Sequence, residues 1–272
     1  MKIVVIVQAR TGSSRLPGKV LMDVCGEPIL AAMLRRVRGA KTHFDLAVAT
    51  TWDRADDPIA ELCRSVDVEV YRGHPTDLLD RHFRVAVDRA AEAVVKIPSD
   101  CPLIDPAVVD RVLDAFSRAA GEGSRPYDYV SNLHPATYPD GNDVEVMRMG
   151  ALEEAFREAE RPFEREHTTP FLWERPARFR IGNVTWESGL DHSMTHRFTL
   201  DYEEDYRFVR RVFEELGGTK RLFTIDEILA LLAAKPEIYE INRRYAGVNW
   251  YRHHLAELTQ VTAAETRLEA DA

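Results

Sequence analysis

Short apolar runs separated by amphipathic stretches recur through the first hundred residues. Ile3–Val7 is a β-branched run closed by Gln8, Ala9 and Arg10, and Leu46–Thr50, Val68–Tyr71 and Val94–Ile97 repeat the signature. Runs of this length without alternation suit strands covered on both faces, as in a parallel sheet. The stretches between them, Glu27–Val37, Asp56–Ser65 and Asp77–Ala93, read as helices. In the last of these Leu79, Phe83, Ala86 and Ala90 share one stripe at i, i+4, i+7 and i+11. Strand and helix alternating at this spacing predict a single Rossmann-like α/β domain with a mostly parallel central sheet flanked by helices.

Beyond Ile97 the pattern becomes less regular. Asp105 followed by Pro106 pairs an N-cap with Pro at the first helical position, opening a helix that runs to about Ala120 and stops at Gly121. Residues 122–126 read as a polar loop. Tyr127–Ser131 and Val144–Met147 read as strands flanking the turn-rich segment Tyr138–Asp143. Residues 149–175 read as two helices split at Pro162, Phe179–Val184 and Arg197–Leu200 as strands, and Tyr202–Leu216 as a helix ended by Gly217 and Gly218. Two short helices, Ile225–Ala234 and Pro236–Arg244, follow. The division this predicts is a domain over 1–217 with a smaller strand-containing insertion at about 127–195, a helical extension over 218–258, and a polar tail over 259–272 that frays.

Composition narrows the function classes. The 272 residues are 45% apolar and 30% charged, and no apolar run approaches the ~18 residues of a membrane span. With 36 Lys and Arg against 45 Asp and Glu the chain carries −9, opposite to the surface that duplex nucleic acid or anionic lipid selects. The opening MKIVVIV is too short for a signal segment, so a cytoplasmic protein is expected. Cys25, Cys63 and Cys101 form no CxxC pair and read as buried small hydrophobes.

The densest chemistry follows the first apolar run, in the segment Gln8–Lys19. Gly12, Ser13 and Ser14 offer backbone N–H groups and hydroxyls to an anion, and Arg10, Arg15 and Lys19 add three cations within ten residues. Ligands of open α/β sheets bind outside the carboxyl ends of strands, where this loop begins. It is not a P-loop: five residues rather than four separate Gly12 from Gly18, and Val20 stands where magnesium would need Ser or Thr. The GxGxxG spacing is absent as well. A polyphosphate is the guest that suits it.

Here the sequence resembles the cytidylyltransferases that make CMP-activated acidic sugars, especially their spore coat polysaccharide biosynthesis protein F-like branch, whose members carry a similar ARxGSxRLPGKxL loop. The resemblance extends through Ala49–Thr51, Val70–Gly73, Leu79–Arg81, Ser99–Asp105, Tyr138–Gly141, Asp143–Val146, Glu164–Thr168, Arg197–Asp201 and Glu204–Asp205, and so spans about residues 3–215. It implies a GT-A-like nucleotidyltransferase domain in which an acceptor oxyanion attacks the α-phosphate of CTP in line and pyrophosphate leaves, commonly in a dimer.

On that resemblance Gln8, Ala9, Arg10, Gly12, Ser13, Ser14, Arg15 and Lys19 hold the nucleotide. Asp100 and Asp201 hold Mg²⁺, and Arg10, Arg15, Lys19 and both aspartates are the catalytic set. Each aspartate follows an expected strand end, where a carboxylate serves equally as a magnesium ligand or as a helix cap. Thr50, Arg72, Gly73 and Ser99 are expected at the nucleoside, Gly73 permitting close backbone approach. Tyr138, Asp140, Asp143, Glu145, Glu166, His167 and Arg197 are expected around a small anionic acceptor, with Arg197 facing its charge and His167 able to take its proton. His192 and His196 have metal-ligand spacing but read as loop residues. A sugar transferase using a nucleotide sugar and a non-enzymatic nucleotide-binding regulator remain the competing classes.

Overall fold

The computed structural model describes residues 1–118 and 125–270, so the expected helix stop at Ala120 and Gly121 and the start of the following loop lie outside the described residues. Its strands are β1 (Ile3–Gln8), β2 (Asp23–Val24), β3 (Glu27–Pro28), β4 (Asp45–Thr51), β5 (Glu69–Gly73), β6 (Ala93–Pro98), β7 (Tyr129–Ser131), β8 (Glu145–Arg148) and β9 (Ile181–Asn183). Seven form one sheet in the order β5-β4-β1-β6-β8-β7-β9, while β2 and β3 make a small separate hairpin. β5, β4, β1 and β6 run parallel, β8 is antiparallel to β6 and to β7, and β9 runs parallel to β7.

The helices are α1 (Ile29–Arg38), α2 (Asp57–Ser65), α3 (Leu78–Asp88), α4 (Pro106–Arg118), α5 (Met149–Glu158), α6 (Pro162–His167), α7 (Pro170–Trp173), α8 (Glu203–Glu215), α9 (Ile225–Ala234) and α10 (Pro236–Tyr239). Two cores result. Val5 and Val7 pack with Val95 and Ile97 beneath α1, α4 and α8, whereas Val4 and Ile6 pack with Val94, Tyr129 and Met147 beneath α3 and α5. Each fully buried Val or Ile side chain stabilises the sheet by roughly 1.5–3 kcal/mol. On the second face the same alternating rows continue into Gln8, Lys96 and Glu145, and there the apolar packing opens into a cavity.

Several local expectations change. Helix α3 stops at Asp88, because Ala90 has φ 48° and is exposed; the buried row is Leu79, His82, Val85 and Ala86. Residues 149–175 contain three helices rather than two, and the helix opened by Pro236 ends at Tyr239, followed by a separate 3₁₀ turn at Arg243–Tyr245. Arg197–Leu200 is not a strand. It is extended chain with one isolated bridge to Asp140, pinned by Phe198 N donating to Asp140 O at 2.7 Å and Leu200 N to Asp100 O at 2.8 Å. Cys25 is exposed: with Gly26 it forms the β2–β3 turn, at φ 51° and 90°. Residues 259–270, expected to fray, lie against the body of the protein, with Thr259 and Gln260 N–H groups donating to the Glu174 carboxylate at 2.8 and 2.9 Å. No helix among the described residues is long and apolar enough to cross a membrane.

Candidate active site

The loop after β1 is a closed turn rather than a loose strand extension. Gly18 N donates to Thr11 O at 2.9 Å, and Thr11 in turn donates through N and Oγ1 to Asp56 Oδ1, both at 2.7 Å. Gly18, at φ 71°, then turns the chain into Lys19–Leu21. This turn sends Lys19 inward. Its Nζ donates to Leu200 O at 2.6 Å and Asp201 Oδ1 at 2.8 Å, and lies 3.6 Å from Asp100 Oδ2. Arg15 reaches the same Asp201 oxygen at 2.7 Å. Burial opposes the Asp201 charge, but Lys19 and Arg15 hold its pKa below the ordinary carboxylate range. Burial likewise opposes the charge on Lys19, and Asp100 and Asp201 outweigh it, so its pKa is raised.

Asp201 is held in place from the other side. Asp205, in the first turn of α8, accepts from the backbone N–H groups of Asp201 and Tyr202 at 2.9 and 3.0 Å. It also pairs with Arg197, from 3.0 Å, and accepts from Asn242 Nδ2 at 2.9 Å. Arg197 further donates to Val248 O at 2.8 Å and meets Asp140 and Asp201 at 3.4 and 3.3 Å. Its side chain is 1% exposed. Arg197 is therefore committed within the protein and positions Asp140 and Asp201, instead of meeting an acceptor as the sequence led one to expect.

Beside these groups opens a cavity of about 790 Å³, within the range of small-molecule binding sites. Gln8, Arg15, Asp100 and Asp201 line one end, and Tyr138, Asp140, Asp143, Glu145, Glu166 and His167 line the rest. Among the described residues Gln8 Oε1 is buried without a hydrogen-bond partner. At the floor Lys96 pairs with Glu145 at 2.5 Å across the β6–β8 register, and Tyr129 donates to the same carboxylate at 2.6 Å. Burial, then the neighbouring charges of Asp100 and Glu145, push the Asp143 carboxyl up. His167 stacks on Trp250, centroids 3.8 Å apart, and burial pushes its pKa down to about 3. Burial thus favours its uncharged form.

Other expected nucleotide residues sit elsewhere. Arg10 is exposed and donates to Pro75 O at 3.2 Å, outside the cavity lining. Thr50, Arg72, Gly73 and Ser99 do not line it either. Arg72 is latched to the start of α2, donating to Thr51 O at 2.8 Å, Asp57 Oδ1 at 2.5 Å and Asp53 O at 2.6 Å. Gly73 is small because a Cβ there would stand 2.8 Å from Arg81 Cγ and from the Tyr71 ring. Ala9 is buried beneath the loop, where its N–H continues the sheet by donating to Ala49 O at 3.0 Å. Gly12 and Ser14 are exposed on the loop, and Ser13 Oγ closes it by accepting from Leu16 N. Sequence reasoning missed Lys96 and the aromatic residues Trp173, Trp250 and Tyr251. The one signal for Lys96 was a lone charge inside an apolar strand.

A cation-bearing loop at the carboxyl end of the first strand, opposed by two aspartates on the rim of a substrate-sized cavity, defines a nucleotide-dependent transferase of the α/β class. Comparison with known proteins makes that specific. The cytidylyltransferase family profile matches residues 4–240. The chain is 33% identical to an uncharacterized protein of Methanocaldococcus jannaschii over 89% of its length and 95% of the relative's. It is 26% identical to the Bacillus subtilis spore coat polysaccharide biosynthesis protein SpsF over 86% and 95%. A cytidylyltransferase structure from Leptospira borgpetersenii superposes with a TM-score of 0.81 at 28% identity, covering 88% of this chain and 97% of that one. The protein belongs to the cytidylyltransferase family and is a nucleotidyltransferase.

Proposed function

We propose that this enzyme transfers CMP from CTP to an anionic acceptor, an acidic sugar, a sugar phosphate or a small phosphate or phosphonate, with Mg²⁺ as cofactor. The observation that carries the reading is buried Lys19 Nζ standing between Asp100 and Asp201, with Arg15 beside them, behind the end of the cavity that Arg15 and the two aspartates line. The acceptor oxygen forms a bond to the α-phosphorus, the bond from that phosphorus to the β-phosphate bridge breaks, and pyrophosphate carries away the charge. Such a reaction needs positioning and charge neutralisation rather than a protein nucleophile. Lys19 and Arg15 neutralise the leaving pyrophosphate, moving from Asp201 onto its oxygens.

The donor set fits magnesium: Asp100 and Asp201 offer hard carboxylate oxygens facing the space for substrate phosphates. Those two residues would hold the ion, and it would supply charge neutralisation at the α-phosphate. Gln8 Oε1, a buried acceptor with no partner among the described residues, suits an amino donor such as the one cytosine carries. Pairing of two copies through the 127–195 region belongs to the same reading, and light scattering at twice the 31.0 kDa chain mass tests it.

The test is pyrophosphate release with Mg²⁺ and each of the four nucleoside triphosphates against keto-deoxy sugar acids, sugar phosphates and small phosphonates. The expected result is release with CTP and one acceptor class, abolished by a chelator and by Lys19→Ala or Asp201→Asn in folded protein. Full turnover in either variant overturns the assigned roles.

A further inference from the structure

The family match ends at residue 240, yet the chain beyond it returns across the cavity. Ten of the 38 residues lining that cavity lie between 248 and 265. The segment is anchored largely through its backbone. Val248 O accepts from Arg197, Gly247 O from Arg267 N at 2.7 Å, and Glu265 O from Asn249 Nδ2 at 2.8 Å, while Leu258 and Val261 sink into the second core. Trp250 stacks on His167, and Tyr251 meets Trp173 edge to face at 6.3 Å, so the segment builds an aromatic wall.

The charges around this cavity are unevenly committed. Of its lining Lys and Arg side chains, Arg15 pairs with Asp201, Lys96 with Glu145, and Arg197 with Asp205 and Asp140. Arg252 is the fourth. Among the described residues it pairs with no carboxylate, and its guanidinium donates from Nε to the neighbouring His253 Nε2 at 3.1 Å. The lining histidines do not substitute for it, because burial pushes His134 to about 4 and His167 to about 3, and burial with the adjacent Arg252 charge lowers His253 as well.

We propose that Arg252 is the residue that binds the acceptor's oxyanion, carboxylate or phosphate, with Trp250 and Tyr251 as the wall against which the rest of the acceptor packs. The segment 248–265 is then the acceptor-specificity element of the enzyme. This deepens the transferase reading and rests on it. An anion entering an otherwise acidic cavity goes to the one guanidinium not already neutralised, and its planar fork suits carboxylate and phosphate alike.

The experiment uses the full chain with CTP, Mg²⁺ and two probes, 3-deoxy-octulosonate as a sugar acid and glucose 1-phosphate as a sugar phosphate. In Arg252→Met the acceptor KM is expected to rise about 10- to 100-fold, the loss of a charge-assisted contact, while the KM for CTP and the thermal midpoint stay unchanged. Arg252→Lys recovers part of the loss. Whichever probe is affected identifies the anion class. An unchanged acceptor KM in Arg252→Met, with pyrophosphate still released, overturns this inference and leaves the transferase reading standing. Binding of the same probes, followed by tryptophan fluorescence in parent and Arg252→Met, tests the anchor apart from turnover. Weaker binding in the variant supports it, and equal binding, or none to the parent, overturns it.

Discussion

Arg197→Met separates a structural arginine from a substrate-binding one. In the folded protein this guanidinium is surrounded by Asp205, Asp140 and Asp201 and by the Val248 carbonyl, and its side chain is 1% exposed. Removing one partner of a buried ion pair costs about 3–5 kcal/mol, chiefly by leaving the other charge uncompensated. Asp205 keeps three N–H donors, from Asp201, Tyr202 and Asn242, which holds the loss within that range instead of above it. Set against the ~5–15 kcal/mol that stabilises a typical protein, this is a large share. With a urea slope of roughly 3 kcal/mol/M, the unfolding midpoint falls by about 1–1.7 M. Turnover falls at the same time, because the backbone N–H of Asp201 and the Val248 wall are set by the same cluster. A midpoint within about 0.3 M of the parent's, accompanied by a raised acceptor KM alone, would refute the reasoning and return Arg197 to the acceptor.

Two further changes probe the frame of the site. Gly141 has φ 102°, and a Cβ there would stand 2.6 Å from the backbone of Phe198 and Thr199, so Gly141→Ala combines left-handed strain with overpacking and is expected to cost about 2–4 kcal/mol by urea unfolding. Since the displaced segment carries Asp201, catalysis should drop even where the variant stays folded, and unaltered kinetics would argue against that coupling. The pH dependence of stability has a defined sign at His82, which burial pushes down to about 3. Its folded pKa lies below the unfolded value near 6.5, so its contribution is complete above about 6.5 and is lost as pH falls toward 3. Between pH 8 and pH 5 the parent should lose roughly 2 kcal/mol more than His82→Gln, and parallel pH profiles would contradict this.

The apolar strands and the loop over residues 8–19 were legible because each signal is local: continuous β-branched runs, a Gly-rich turn, clustered cations. The four-stranded parallel half of the sheet follows from them almost residue for residue. The fate of single side chains was not legible. Arg197 looks like a substrate ligand until Asp205 is seen to occupy its fork, a pairing set by how α8 begins. Arg72 and Gly73 resemble a close-approach site at a strand end, yet Gly73 makes room for Arg81 and Arg72 clasps α2. The tail after Leu258 is mostly polar, as a frayed end would be, yet it is held by its own N–H groups and by the buried side chain of Val261 rather than by a periodic hydrophobic stripe.

Glu174 grips Thr259 and Gln260 through main-chain N–H groups that every residue except proline possesses, aided by one hydroxyl contact from Thr259. A fastening that reads the backbone is indifferent to most side chains threaded beside it. The outer wall of the cavity can therefore drift in identity while its course stays fixed, much as a loop grafted on a rigid frame does. Under the acceptor role proposed for this wall, substitutions at positions near 250 would change which molecules the enzyme accepts while the main-chain fastening holds the course of the chain.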